Sequence, residues 1–119
     1  MRAGRYDWEA RRERYSRRLK GVQRHPEDRD GILAFLDTHR GVEAYMEPRT
    51  VAHPLSAVLV ADDGEYRRFE LADDEYIRQL AATRKLPVLD AGRVGYPQRM
   101  REFMRRRREQ SKAEPPAGG

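Results

Sequence analysis

Apolar residues recur along the chain at two distinct spacings, and those spacings divide it into elements. From Trp8, the positions Trp8, Tyr15, Leu19 and Val22 follow at intervals of seven, four and three, which places them on one helical face. Asp7 suits the N-cap of this helix, and Glu9 sits in its first turn, where a carboxylate matches the helix dipole. The stripe is thin and arginines cover the rest. Such a helix is expected to lean on the core or on a partner and to be marginal alone. A second helix is predicted over 27–40. Pro26 precedes it, Ile32, Leu33, Phe35 and Leu36 form its apolar face, and Gly41 suits its C-terminal end.

The period then changes. Val42 to Glu47 alternates as a strand does, and Pro48 ends it. Leu55 to Ala61 is an apolar, β-rich run expected as a central strand. Asp62-Asp63-Gly64-Glu65 reads as a hairpin turn leading into a return strand, Tyr66 to Leu71. Alternation puts Arg67, Phe69 and Leu71 on one face and Tyr66, Arg68 and Glu70 on the other. Asp73 suits the cap of a third helix, with Tyr76, Ile77, Leu80 and Ala81 buried and Arg84 and Lys85 at its C-terminal end. Val88-Leu89 opens a short strand after Pro87, and Gly92 and Gly95 bracket a turn. Pro97 begins a last helix whose Met100, Phe103 and Met104 face inward.

The predicted order is α-α-β-β-β-α-β-α. It describes an α+β fold in two layers: a three-stranded antiparallel meander plus a short fourth strand, packed by helices, with basic helices at both termini. We expect a basic N-terminal helix over 1–24, a core domain over 25–104, and a basic helix end with a disordered tail over 105–119. No internal repeat is visible.

Charge adds what periodicity leaves out. Residues 1–24 carry a net +6, residues 97–119 carry +4, and residues 25–96 carry −5. A positive end attracts phosphates or an acidic protein face. Arginine outnumbers lysine 22 to three, a ratio that GC-rich coding sequence also produces, so part of the excess has a second explanation. There is no cysteine, which excludes disulfides, thiol catalysis and cysteine-ligated metal. No apolar run approaches the roughly 18 residues of a membrane span, and the N-terminus lacks the apolar region of a secretory signal. A cytoplasmic, membrane-independent protein is expected.

The runs Glu43-Ala44-Tyr45-Met46-Glu47-Pro48-Arg49-Thr50 and Val94-Gly95-Tyr96-Pro97-Gln98-Arg99-Met100 resemble a small family of uncharacterised actinobacterial proteins. The run Ala57 to Glu65 fits the same resemblance, which spans roughly residues 27–104. It implies a bacterial, cytosolic setting and agrees with the GC-rich reading. It implies no activity, and no residue role follows from it.

Strong catalytic motifs are missing: no phosphate loop, dinucleotide fingerprint, zinc-protease motif or nucleophile elbow. His25, His39 and His53 show no close-set ligand spacing, so neither a metal nor a cofactor is expected. His53 and Arg49 share the loop between the first two strands. They are the candidates for an acid–base site, with His53 as general base and Arg49 stabilising a phosphate; the plain alternative is a turn histidine beside a loop arginine. Arg93, Tyr96, Arg99 and Arg101 cluster at the last turn, where Arg99 suits an anion and Tyr96 a stacked base, or where Tyr96 simply staples the helix. The clearest polyanion signal is Arg11, Arg12, Arg14, Arg17 and Arg18 with Trp8 and Tyr15 interleaved, followed by Arg105, Arg106, Arg107 and Arg108.

Three functions follow. The first is a non-catalytic accessory factor binding nucleic acid or a ribonucleoprotein. The second is a protein-interaction module or homo-oligomer, with the N-terminal helix docking on an acidic protein surface. The third is a small nuclease-like or other enzyme using His53 and Arg49.

Overall fold

A computed structural model of the chain describes residues 4–9 and 27–113. Within them the fold is α+β. Helix α1 is Arg29–Thr38, followed by strands β1 (Glu43–Glu47), β2 (Ser56–Val60) and β3 (Tyr66–Glu70). Then come helix α2 (Glu75–Thr83), strand β4 (Val88–Asp90), a single-turn helix α3 (Ala91–Val94) and helix α4 (Gln98–Ala113). The strands form one sheet in the order β3-β2-β1-β4.

The expected meander is present. β1 pairs antiparallel with β2, Glu43 opposite Val60 and Glu47 opposite Ser56. β2 pairs antiparallel with β3, Val60 opposite Tyr66 and Ser56 opposite Glu70. The turn between them closes as Asp-Gly predicts. Ala61 donates its N–H to the Glu65 carbonyl at 2.8 Å, and Asp63 Oδ1 accepts the Glu65 N–H at 2.9 Å. β4 returns after α2 to lie parallel to β1, with Ala44 opposite Val88 and Met46 opposite Asp90. The far edge of β4 carries a short pairing that periodicity did not announce. Arg5 bridges Leu89, Tyr6 donates its N–H to the Val88 carbonyl at 3.2 Å, and Asp90 donates its N–H to the Gly4 carbonyl at 2.8 Å.

Helices pack on both faces of the sheet, so the expected two layers become three. On one face, Ala44, Met46, Ala57, Leu59, Phe69 and Val88 pack against Ile32 and Phe35 of α1 and against Tyr76, Ile77 and Leu80 of α2. On the other, Tyr45, Val58 and Val60 meet Met100, with Tyr66, Leu89, Tyr96 and Met104 around them. All five residues of β2 are buried, as a strand covered on both sides requires. Helix α4 docks through the hairpin turn. Gly64 has φ 93°, and a Cβ there would lie 2.0 Å from the Arg99 carbonyl oxygen, so only glycine permits this approach.

Helix boundaries follow local chemistry. α1 begins after Asp28, whose Oδ1 accepts the Gly31 N–H at 2.8 Å. It stops at Thr38, short of the predicted residue 40, because Thr38 Oγ1 and His39 Nδ1 engage the Ala34 and Phe35 carbonyls. Asp73 sits one place before the N-cap of α2, Asp74, and accepts the Glu75 N–H at 3.0 Å. The Gly92–Gly95 turn is α3, capped by Asp90 Oδ1 on the Gly92 N–H at 2.9 Å. Trp8 and Glu9 are helical, and the rest of the predicted N-terminal stripe, Tyr15, Leu19 and Val22, lies outside the described residues.

Candidate functional site

The carboxyl ends of β1, β3 and β4 point the same way, and the second sheet face is left open there. Helix α4 covers the half of that face nearer Glu43 and Val60, and the other half forms the floor of a cleft of about 550 Å³. Crevices at the carboxyl ends of parallel strands are where open mixed sheets commonly bind ligands. Glu47, Ser56, Arg68 and Glu70 make the floor. Pro48, Thr50, His53 and Pro54 of the β1–β2 loop form one wall, and Ala91, Gly92 and Tyr96 form the opposite one.

Glu47 is the anchor. Arg68 Nε and Nη2 donate to its two oxygens at 2.7 and 2.8 Å, a bidentate pairing, and the Tyr96 hydroxyl also donates to it. The hydrogen bond to Glu47 raises the pKa of Arg68 above the usual guanidinium range, against the opposing effect of burial. Glu70 has no partner among the described residues. The loop wall is self-braced: the His53 N–H donates to Thr50 Oγ1 at 3.0 Å, and the Thr50 N–H donates to the His53 carbonyl at 2.9 Å.

His53 thus lines a cleft, exposed at its rim. Arg49, its expected partner, is not among the lining residues; the guanidinium on the floor is that of Arg68, two strands away. Periodicity had placed Arg68 beside Glu70 without linking either to Glu47. That link needs the strand pairing, which sequence spacing does not contain.

The last-turn cluster divides. Arg99 turns inward, donating from Nε to the Ala61 carbonyl at 2.8 Å and from Nη2 to Glu43 at 2.5 Å. Its guanidinium clamps α4 to the sheet. Tyr96 is similarly committed to Glu47 and tilts against Tyr45 at 5.9 Å, matching the stapling alternative. Burial first, and then the Glu43 carboxylate, push the Tyr45 phenol above its ordinary pKa. Arg93 is exposed on α3. Trp8 packs edge-on against Tyr6, with ring centroids 4.8 Å apart, on the rim of the core; this is the core-leaning choice for that residue. Arg11, Arg12, Arg14, Tyr15, Arg17 and Arg18 lie outside the described residues.

The four successive arginines stand on regular helix. Arg106 reaches the Asp63 carbonyl at 3.3 Å, and both Arg106 and Arg107 lie within 6 Å of the Phe103 ring, at 5.9 and 5.8 Å. Arg105 and Arg108 are exposed. With Arg101 and Lys112, also exposed, they fall at intervals of four, three and four, which align on one side of α4. None of these four cations has a carboxylate partner among the described residues. At 1.5 Å per residue the stripe runs about 16 Å. The sequence reading named Arg105 and Arg108 within a run and missed Lys112; the helical interval was the signal that joins them.

A second cavity, of about 520 Å³, lies at the opposite end of β1 beside His39, Glu43, Arg84 and Lys85. His39 is a clasp there. Its ring stacks on Phe35 at 3.9 Å, Nδ1 engages the Phe35 carbonyl at 2.9 Å, and Nε2 meets Glu65 at 2.8 Å. No group of three or more histidine or acidic side chains is arranged to hold a metal ion among the described residues. Nor is any described helix long and apolar enough to cross a membrane.

No family model, curated protein or solved structure matches the chain. What can be said of function therefore starts from the basic stripe and the cleft.

Proposed function

We propose that this protein is a non-catalytic accessory factor that binds nucleic acid, alone or within a ribonucleoprotein, through its arginine-rich helices. The observation that carries the reading is the stripe Arg101, Arg105, Arg108 and Lys112: four exposed cations on one side of a regular helix, with no carboxylate partner among the described residues. A helix held to the sheet by Met100 and Arg99 presents those charges without first having to fold. Preformed positive charge attracts the phosphate backbone and releases its counterions, whatever the base sequence. The other arginines assigned to this role, Arg11 to Arg18, would extend the same electrostatic footprint.

Fluorescence anisotropy with labelled single-stranded RNA and duplex DNA tests it. Four phosphate contacts predict that affinity falls about 50- to 150-fold between roughly 50 and 200 mM salt. Replacing Arg101, Arg105, Arg108 and Lys112 together by glutamine should flatten the salt slope by about four contacts' worth while leaving thermal unfolding nearly unchanged. Salt-independent binding, or a variant that binds as the parent does, would refute the proposal. So would selective capture of an acidic protein with no measurable affinity for either nucleic acid.

A further inference from the structure

We infer that the cleft at the carboxyl ends of β1, β3 and β4 binds a small protonated amine, a role separate from that of the basic stripe. The Tyr96 hydroxyl gives its proton to Glu47, and the Ser56 hydroxyl gives its proton to the Pro54 carbonyl at 3.4 Å. Each oxygen keeps a lone pair with which to accept. Arg68 has already directed Nε and Nη2 at Glu47. Thr50 Oγ1 accepts the His53 N–H, so its own proton stays free.

Charge points the same way. The register sets Glu47, Ser56 and Glu70 side by side across three strands. Neighbouring strands lie about 4.8 Å apart, so the two carboxylates flank Ser56 within about 10 Å of backbone. Glu47 is balanced by Arg68; Glu70 has no counter-charge among the described residues. A monocation with several N–H donors supplies what is missing: charge for Glu70 and protons for the committed hydroxyls. Pro48, Pro54 and Ala91 give the cleft apolar surface suited to a short methylene stem. An anion of the same size would meet the Glu70 carboxylate, which has no counter-charge among the described residues.

The test is an amide chemical-shift titration of the full chain, freed of nucleic acid, with butylamine, 1-butanol and butyrate as matched probes. Butylamine should produce saturable shifts centred on Thr50, Ser56, Glu70 and Gly92, with the alcohol weaker and butyrate inert. Glu70→Gln keeps the side-chain shape on an exposed site and should weaken the amine by about two- to fivefold, the worth of an exposed ion pair. The quadruple glutamine variant of the basic stripe should bind the amine as the parent does, whatever the fate of the nucleic-acid proposal. The inference is overturned by any of three results: no saturable shifts up to about 20 mM amine, equal affinity in Glu70→Gln, or butyrate binding at least as well as butylamine.

Discussion

Replacing Gly64 by alanine tests how the fold holds its basic helix. A Cβ at Gly64 would lie 2.0 Å from the Arg99 carbonyl oxygen, 2.6 Å from its carbon and 3.0 Å from the Phe103 Cβ. The first two neighbours are backbone, so no rotamer change relieves the overlap; the turn or the start of α4 must move. The positive φ adds about 1 kcal/mol or more for a residue with a Cβ. Overpacking of this kind costs about 1–3 kcal/mol. The shift also strains the bonds from Arg99 to Ala61 and Glu43, worth about 1 kcal/mol or more together. The expected loss is about 3–5 kcal/mol, a large part of the roughly 5–15 kcal/mol that holds a domain of this size folded. Gly95→Ala is the control. Gly95 also has positive φ, 68°, but nothing lies within 4 Å of its added Cβ, so it reports strain of about 1–3 kcal/mol without overlap. Urea unfolding of the two variants side by side separates the terms. If Gly64→Ala is no more destabilising than Gly95→Ala, α4 is not fixed by the hairpin turn, and the rigid presentation of its arginines loses its structural basis.

His39 should make stability depend on pH. Burial pushes its pKa down, but the ring's hydrogen bonds to Glu65 and the Phe35 carbonyl, with the charges of Glu65 and Asp63, outweigh that and raise it. A raised folded value means the His39 contribution is complete below about pH 6.5, the unfolded value, and is lost as pH rises through the folded one. The stability gap between the parent and His39→Gln should therefore be wider at about pH 5.5 than at about pH 8.5; equal gaps in urea titrations at the two pH values would contradict the clasp. Ile77, fully buried between α2 and the sheet, should cost about 2–5 kcal/mol on truncation to alanine, and a loss below about 1 kcal/mol would show that α2 does not seal that face.

The elements legible in the sequence are those whose signals are local. The hairpin could be read because Asp63-Gly64 and the alternation from Tyr66 to Leu71 lie within a dozen residues, and the observed register keeps Phe69 and Leu71 in one core and Tyr66 in the other. Helix ends moved by one or two residues where side chains intercepted terminal carbonyls, as Thr38 and His39 do. The third layer was missed although its signal was present: a strand apolar from Leu55 to Ala61 except at Ser56 belongs between two packed faces, not over one. The edge pairing of Gly4 to Tyr6 with β4 had no comparable signal, since those few residues carry no strand period and their partners are more than 80 positions away.

The candidate sites were legible to different degrees for the same physical reason. The basic stripe is written along one helix, so its residues share a face by helical geometry alone, and only the choice between a run and a stripe had to be made. The cleft is assembled across the sheet. Arg68 and Tyr96 reach Glu47 over 21 and 49 residues of chain, and neither contact exists until β1 is paired on both sides. The same pairing that hid the cleft also sets its chemistry. It brings two carboxylates to one row of the sheet but supplies a guanidinium to only one of them, leaving Glu70 as the charge that a ligand can answer. The described residues therefore present two electrostatically opposite surfaces: cations along α4 and a carboxylate where the parallel strands end, none of them paired among those residues. A polyanion on the first and a small cation in the second would not compete for the same residues, which is why charge substitutions at Arg105 and Glu70 should act independently.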